Sequence, residues 1–247
     1  MNGNQYKDAI RFRNEIVSNN KDRVIIKKEY SKLKQFLTIG IAGTESRIGT
    51  TTQSLLICSF FNAMNIKACY ISADNKETVK TIENYAELDS RNETMITYKG
   101  IDIYKKSASV EAINFGYAFY IYDFGELNDE NLDNFISKDI KIIVSGSKMW
   151  EVDNLFDMID KLQKLKEISY LINFTAQEEQ KAFLSNMRQY EKTTYFPEYT
   201  PNPFATDVNL SLYHRIFKDY LIEKTNKLTI IEKPKKQLLS FLKRGGK

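Results

Sequence analysis

The stretch FLTIGIAGTESRIGTTT, residues 36–52, constrains the fold more than any other part of the chain. Leu37, Ile39 and Ile41 recur at alternate positions in an apolar run from Phe36 to Ala42 that ends at Gly43, the pattern of a buried strand. The helix expected next, Thr50 to about Ala63, carries Leu55, Leu56, Cys58, Phe60 and Phe61 and opens with three threonines, which suit a helix N-terminus. Strand, glycine-bounded loop and a helix beginning Gly-Thr-Thr form the frame of a phosphate-binding loop, where amide N–H groups and the positive helix end cradle an anion.

One part of that frame is missing. In the pattern G-x-x-x-x-G-K-[ST] the lysine reaches the β and γ phosphates and the next hydroxyl holds magnesium. Here Gly49 takes the last glycine, Thr50 stands in the lysine's place and Thr51 in the hydroxyl's, with Thr52 following. No lysine lies between Phe36 and Ile66, and the first glycine is displaced, so that Thr44 sits where the pattern wants glycine and Gly43 precedes it. Glu45, Ser46 and Ile48 complete the loop, with Arg47 as its one cation; a planar guanidinium differs from a compact ammonium as a phosphate ligand. The residues alone leave two readings open: a nucleotide site with an altered loop, or an ordinary strand-turn-helix.

The rest of the chain alternates strand and helix. A charged helix is expected from about Lys76 to Leu88, a hairpin in ETMITYKGIDIYKK around Lys99-Gly100, then helix Asn128 to Ile136, strand Asp139 to Ser145, helix Glu151 to Leu165 and strand Ile168 to Phe174. The alternation predicts an α/β fold with a mostly parallel sheet covered by helices on both faces. Ligands in such sheets sit outside the carboxyl ends of strands. Gly43, Asp74, Asp123 and Asn173 all fall at such ends. Trp150 is expected on a loop at that edge. His214 lies in an apolar-periodic helix, Asp207 to Ile222, and with no second histidine in the sequence and no cysteine beside it a metal or catalytic role is not expected. Cys58 and Cys69 read as buried core thiols, not a disulfide.

In this order and spacing the motifs resemble the ParA and MinD family of P-loop ATPases. That family's loop reads K-G-G-x-G-K-T-T, against E-S-R-I-G-T-T-T from Glu45 to Thr52. Its next strand ends in D-x-D, matched in IKACYISAD by Ser72 and Asp74. AFYIYDFG resembles the strand that ends in the Walker B aspartate, here Asp123, and SYLINFT the strand whose last asparagine reads adenine, here Asn173. FPEY resembles the proline loop flanking the base, with Pro197. The resemblance runs from about Leu37 to Lys224. It implies a P-loop NTPase fold, ATP or ADP with Mg2+ as cofactors, an amide cradle from Thr44 to Thr50, magnesium through Thr51 and Asp123, water positioning by Asp74, and a homodimer. The family's cross-subunit lysine falls on Glu45 and the ordinary P-loop lysine on Thr50. Such cations neutralise the transferring phosphoryl group, so hydrolysis is expected to be slow or absent while binding survives.

Charge divides the chain further. Residues 1–34 hold nine Lys or Arg against four acids, and residues 233–247 six Lys or Arg and no acid, against a net charge of +4 overall, which leaves the middle acidic. The expected organisation is a basic helical extension (1–34), with Ile10, Phe12 and Ile16 as one apolar stripe and Val24 to Ile26 as a second anchor, then the P-loop domain (35–225) and a linker with a basic tail (226–247). An acidic centre argues against a broad nucleic-acid face. In the tail, Leu238, Leu239, Phe241 and Leu242 gather on one side of a helix, with Lys243 and Arg244 among the residues on the other. This resembles the membrane-targeting tail of MinD. Each buried apolar side chain is worth about 1.5–3 kcal/mol and each basic residue near an anionic leaflet about 1 kcal/mol, set against ordering a helix too short to be stable alone. One copy should bind an anionic membrane marginally and two linked copies much better.

The reading is a degenerate ParA/MinD-like nucleotide-binding protein. It is expected in the cytoplasm, peripheral to the inner face of the cell membrane, as a positional or scaffolding regulator with protein partners in a membrane-associated apparatus. The alternatives are a slow ATPase stimulated by a partner, and a nucleotide-free pseudo-ATPase module.

Overall fold

In the computed structural model, strand β2 (Leu37–Gly43) runs down the middle of a nine-stranded sheet, and its neighbours explain its sequence. The structure describes residues 25–26, 36–73, 78–92, 94–105, 115–165 and 167–222. β2 lies parallel between β7 (Phe119–Glu126) and β8 (Ile140–Gly146). Both its faces are covered, which is why the run is apolar almost throughout. Leu37, Ile39 and Ile41 join one core cluster and Ala42 joins another on the opposite face.

The sheet order is β10 (Thr194–Tyr195), β9 (Ile168–Asn173), β8, β2, β7, β3 (Ala68–Ser72), β6 (Ile101–Tyr104), β5 (Met95–Tyr98), β4 (Ser90–Arg91). All pairings from β10 to β6 are parallel. The last two strands fold back antiparallel. The expected hairpin joins β5 to β6, with Lys99 and Gly100 both left-handed (φ 49° and 72°), as its two-residue turn requires.

Helix α1 (Thr50–Ala63) has the boundaries expected from sequence. It is buried around most of its circumference because α6 (Leu210–Phe217) covers the side that the sheet does not. Phe61 stacks on Phe119 of β7 with ring centroids 4.0 Å apart, and Phe60 faces Tyr213 and Phe217 of α6. Val79 of α2 (Thr78–Tyr85) joins the same core. The other face carries α3 (Asp129–Ile136) and α4 (Met149–Leu162), whose Phe135, Leu155, Met158, Ile159 and Leu162 pack on Ala42, Ile143 and Ile172. Asn128 caps α3, accepting from the Glu130 and Asn131 amides. Helix α5 (Gln177–Asn186) follows β9 and buries no residue fully. The α/β architecture with helices on both faces is as expected.

Three readings change. The helix placed over Asp207 to Ile222 is shorter: it spans Leu210–Phe217, and Leu221–Ile222 form strand β11. β11 pairs antiparallel with β1 (Ile25–Ile26), so Ile25 and Ile26 belong to a two-stranded ribbon and not to a helix. Trp150 lies in the first turn of α4, not on a loop, and is 61% exposed. The N-terminal stripe Ile10, Phe12 and Ile16 and the tail lie outside the described residues. Cys58 and Cys69 are buried free thiols. Among the described residues no helix is long and apolar enough to cross a membrane.

Candidate functional site

The loop between β2 and α1 is shaped by two glycines. Gly49 caps α1 from the left-handed region (φ 95°, ψ 18°) and offers no side chain, so the first-turn amides have no capping oxygen from the cap residue. A Cβ on Gly49 would stand 2.7 Å from Asn173 Nδ2, and one on Gly43 would meet Thr50 Oγ1 at 2.5 Å and Ile48 Cγ2 at 2.7 Å. Each position therefore requires a glycine. Ile48 is buried as the anchor of the loop, while Ser46 and Arg47 are exposed and Arg47 is itself left-handed (φ 66°). Thr50, in the lysine's place, is 6% exposed and turned toward Gly43.

Thr44 and Glu45, which follow Gly43, are tied elsewhere. The Thr44 amide donates to the Val144 carbonyl at 2.9 Å and its hydroxyl to Ser145 Oγ at 3.1 Å. This removes Thr44 from the expected amide cradle and leaves the segment from Glu45 to Thr50. Glu45, in the place of the family's cross-subunit lysine, accepts from Asn154 Nδ2 of α4 at 3.0 Å.

Behind the loop, Thr51 Oγ1 donates to Asp123 Oδ2 at 2.6 Å. Asp123 is fully buried, and two further donors hold its carboxylate: Tyr70 Oη to Oδ2 at 2.7 Å and the Gly125 amide to Oδ1 at 3.0 Å. Ser72 is the register partner of Asp123 on β3. Asp74 lies outside the described residues. A hydroxyl and a carboxylate converging from the start of α1 and from β7 suit a hard divalent cation, which favours oxygen ligands. No cluster of three or more His, Cys, Asp or Glu occurs among the described residues. Tyr70 was not foreseen, since its role depends on the register between β3 and β7.

Beside the loop opens a cleft of about 140 Å³, lined by Gly49, Thr52, Gln53, Asn173, Phe174, Pro197 and Tyr199 among others. That is below the roughly 300 Å³ of pockets that enclose a whole drug-sized ligand, and suits one ring system with the rest of the ligand outside. Asn173 and Pro197 are thus brought together with the loop, although Asn173 has other work. Tyr213 Oη donates to Gln53 Oε1 at 2.8 Å, Gln53 Nε2 to Asn173 Oδ1 at 3.0 Å, and Asn173 Nδ2 to the Ile48 carbonyl at 2.7 Å. Burial holds the Tyr213 hydroxyl above its ordinary pKa, against a smaller lowering from Asn209, so it stays a donor and fixes the orientation of both amides. Asn209, left-handed at φ 61°, takes both backbone groups of Glu198: its Oδ1 accepts from the amide at 2.7 Å and its Nδ2 donates to the carbonyl at 3.0 Å. The sequence pattern does not single out Gln53 or Phe174, and marks Tyr199 only as the last residue of FPEY. The membrane residues Leu238, Leu239, Phe241, Leu242, Lys243 and Arg244 lie outside the described residues.

No protein-family profile and no curated protein matches the chain. Solved structures do. A plasmid partition protein from Borrelia burgdorferi bound to AMPPNP superposes with a TM-score of 0.54 at 17% identity, covering 75% of this chain and 98% of that one. A MinC:MinD cell division protein complex from Aquifex aeolicus gives 0.52 at 13%, over 72% and 85%. MinD alone from the same organism gives 0.51 at 14%, over 73% and 86%. The chain carries the ParA/MinD-type P-loop ATPase fold.

Proposed function

We propose that the chain is a degenerate ParA/MinD-like nucleotide-binding protein, acting as a positional or scaffolding regulator at the inner face of the cell membrane with weak or no ATP hydrolysis. The observation that carries the nucleotide part is the 2.6 Å bond from Thr51 to Asp123 at the mouth of a helix whose cap residue lends no side chain. The Borrelia relative was solved with AMPPNP, in keeping with ATP or ADP as the ligand. The amides from Glu45 to Thr50 would hold the phosphates, Thr51 and Asp123 the Mg2+, and Asp74 the attacking water; Asn173 and Pro197 border the base. Bound Mg2+ supplies charge neutralisation at the phosphates. A buried Thr50 and a tethered Glu45 in the two lysine positions support binding in preference to turnover.

Calorimetry with Mg-ATP and Mg-ADP tests this reading, using the purified chain, Thr51→Ala and Asp123→Asn. Micromolar binding lost in both variants is expected; silence up to millimolar nucleotide would leave a pseudo-ATPase interaction module. At about 100 times its dissociation constant the ligand should also add about 2.7 kcal/mol of stability.

Arg47 is exposed on the loop, and this favours a second reading, a slow ATPase in which that guanidinium or a partner's cation restores the missing charge. Turnover that rises with a partner and disappears in Asp74→Ala would select it. The MinD relative was solved with a protein partner, MinC, which agrees with partner or self-association as the mode of action. For the membrane part, the intact chain should sediment with anionic vesicles and a chain lacking residues 226–247 should not.

A further inference from the structure

Tyr70 is a fully buried tyrosine whose hydroxyl is aimed at the carboxylate of the candidate cation site. On β3 it stands opposite Ile121 of β7, two residues before the Ser72–Asp123 pair, and its side chain reaches along the sheet to bring Oη to 2.7 Å from Asp123 Oδ2. The ring belongs to the same core cluster as Leu55, Phe60 and Phe61 of α1, and this packing fixes it. An aliphatic side chain would satisfy a buried strand position of this kind, whereas a tyrosine there also needs a partner for its hydroxyl.

That partner is a carboxylate already in use. Oδ2 of Asp123 accepts from two hydroxyls, Thr51 at 2.6 Å and Tyr70 at 2.7 Å, and Oδ1 accepts from the Gly125 amide at 3.0 Å. A carboxylate has about four acceptor positions, two on each oxygen, so protein donors fill both positions of Oδ2. The two hydroxyls differ in what they do for a cation. Thr51 points its proton at Asp123, so its oxygen lone pairs can face the metal. Tyr70 places a neutral phenol where a divalent cation, or a water bound to it, would meet the carboxylate. Oxygen sites hold such cations according to the negative charge their ligands present, and each donor draws on that charge.

We infer that Tyr70 is a positioning residue that competes with Mg2+ for Asp123 Oδ2, so that the site binds nucleoside di- and triphosphates with little help from the cation. The inference rests on the nucleotide-binding reading above and concerns the cation's share in it. Asp123 then acts chiefly by holding Thr51, and with it the first turn of α1 where the phosphate cradle ends.

The test is calorimetry of the full chain with ADP, once in Mg2+ and once in EDTA, beside Tyr70→Phe, which keeps the ring and removes the donor. The parent should bind ADP within about tenfold in the two buffers. In Tyr70→Phe the advantage of Mg2+ should grow by about tenfold or more, the scale of one hydrogen bond to a charged group, with affinity in EDTA unchanged. The variant should melt below the parent in EDTA, where a buried carboxylate has lost a donor, and the gap should narrow with Mg2+ and ADP present. A purely structural tyrosine would lower the melting temperature equally in both conditions and leave the Mg2+ advantage as it was, and that result overturns the proposal. A parent that loses about a hundredfold or more of its ADP affinity in EDTA also overturns it, without recourse to any variant, and leaves nucleotide binding standing. Absence of ADP binding in either buffer overturns both.

Discussion

Gly49 lies directly against the side-chain amide of Asn173: a single added carbon would stand 2.7 Å from Nδ2, at a backbone φ of 95°. Gly49→Ala therefore meets two obstacles, left-handed strain of about 1–2 kcal/mol and displacement of the amide that anchors the loop. The expected outcome is a lower urea midpoint together with loss of nucleotide titration. A variant as stable as the parent would mean that the loop relaxes without Asn173.

Phe61 is the centre of the aromatic stack between sheet and α6, with Phe119 at 4.0 Å and Phe217 at 4.9 Å. Phe61→Ala removes the largest fully buried ring of α1 and should cost about 3–5 kcal/mol in chemical denaturation. A loss under 1 kcal/mol would contradict the packing described.

Under the other face of the sheet, Tyr104, Tyr117 and Tyr120 are buried together, with Tyr117 Oη donating to Asp102 at 2.7 Å. Burial pushes Tyr120 up to about 12, and Tyr117 higher still, through burial first and its bonds to Tyr104 and Asp102 second. An unfolded tyrosine titrates near 10. The stability gained by keeping these phenols neutral is whole below pH 10 and is lost as pH rises from about 10 to about 12. Tyrosinate absorbance and far-UV circular dichroism should change together in that window, and Tyr120→Phe should move the transition upward. Smooth ionisation near pH 10 with the fold intact would refute this.

Glu83 of α2 bridges Arg91 (2.7 Å) and Lys105 (3.0 Å), pinning the helix to the antiparallel end of the sheet. Its carboxyl is held below the ordinary value, first by the hydrogen bond from Lys105, against some burial, and further by the charges of Lys105 and Arg91. A depressed carboxylate contributes above its unfolded pKa and loses that contribution as pH falls through the acid range. Glu83→Gln should be less stable than the parent at pH 7, with the gap closing toward pH 3. A constant gap across that range would show that charge is not its source.

The parts of this molecule legible in the sequence are those fixed by local pattern. The alternation in β2, the apolar circumference of α1 and the Lys99-Gly100 turn each follow from residues close together in the chain, and the elements appear where expected. Thr51 and Asp123 were paired through the family resemblance, and the structure brings them into contact. Contacts between distant residues were not legible. Gln53 is one polar residue among many until Tyr213 and Asn173 arrive from 160 and 120 positions away. Leu221–Ile222 continued a helical period and became a strand because Ile25–Ile26 lie alongside. Tertiary pairing overrode periodicity there.

The β1–β11 ribbon has a further effect on the chain's two basic ends. Ile25 stands opposite Ile222, so the segment that precedes the ribbon and the segment that follows it depart from the same end of it, one strand spacing apart. Five N-terminal lysines and arginines, Lys7 to Arg23, and the six from Lys233 to Lys247 therefore belong to chain segments that join the described structure at one end of the ribbon.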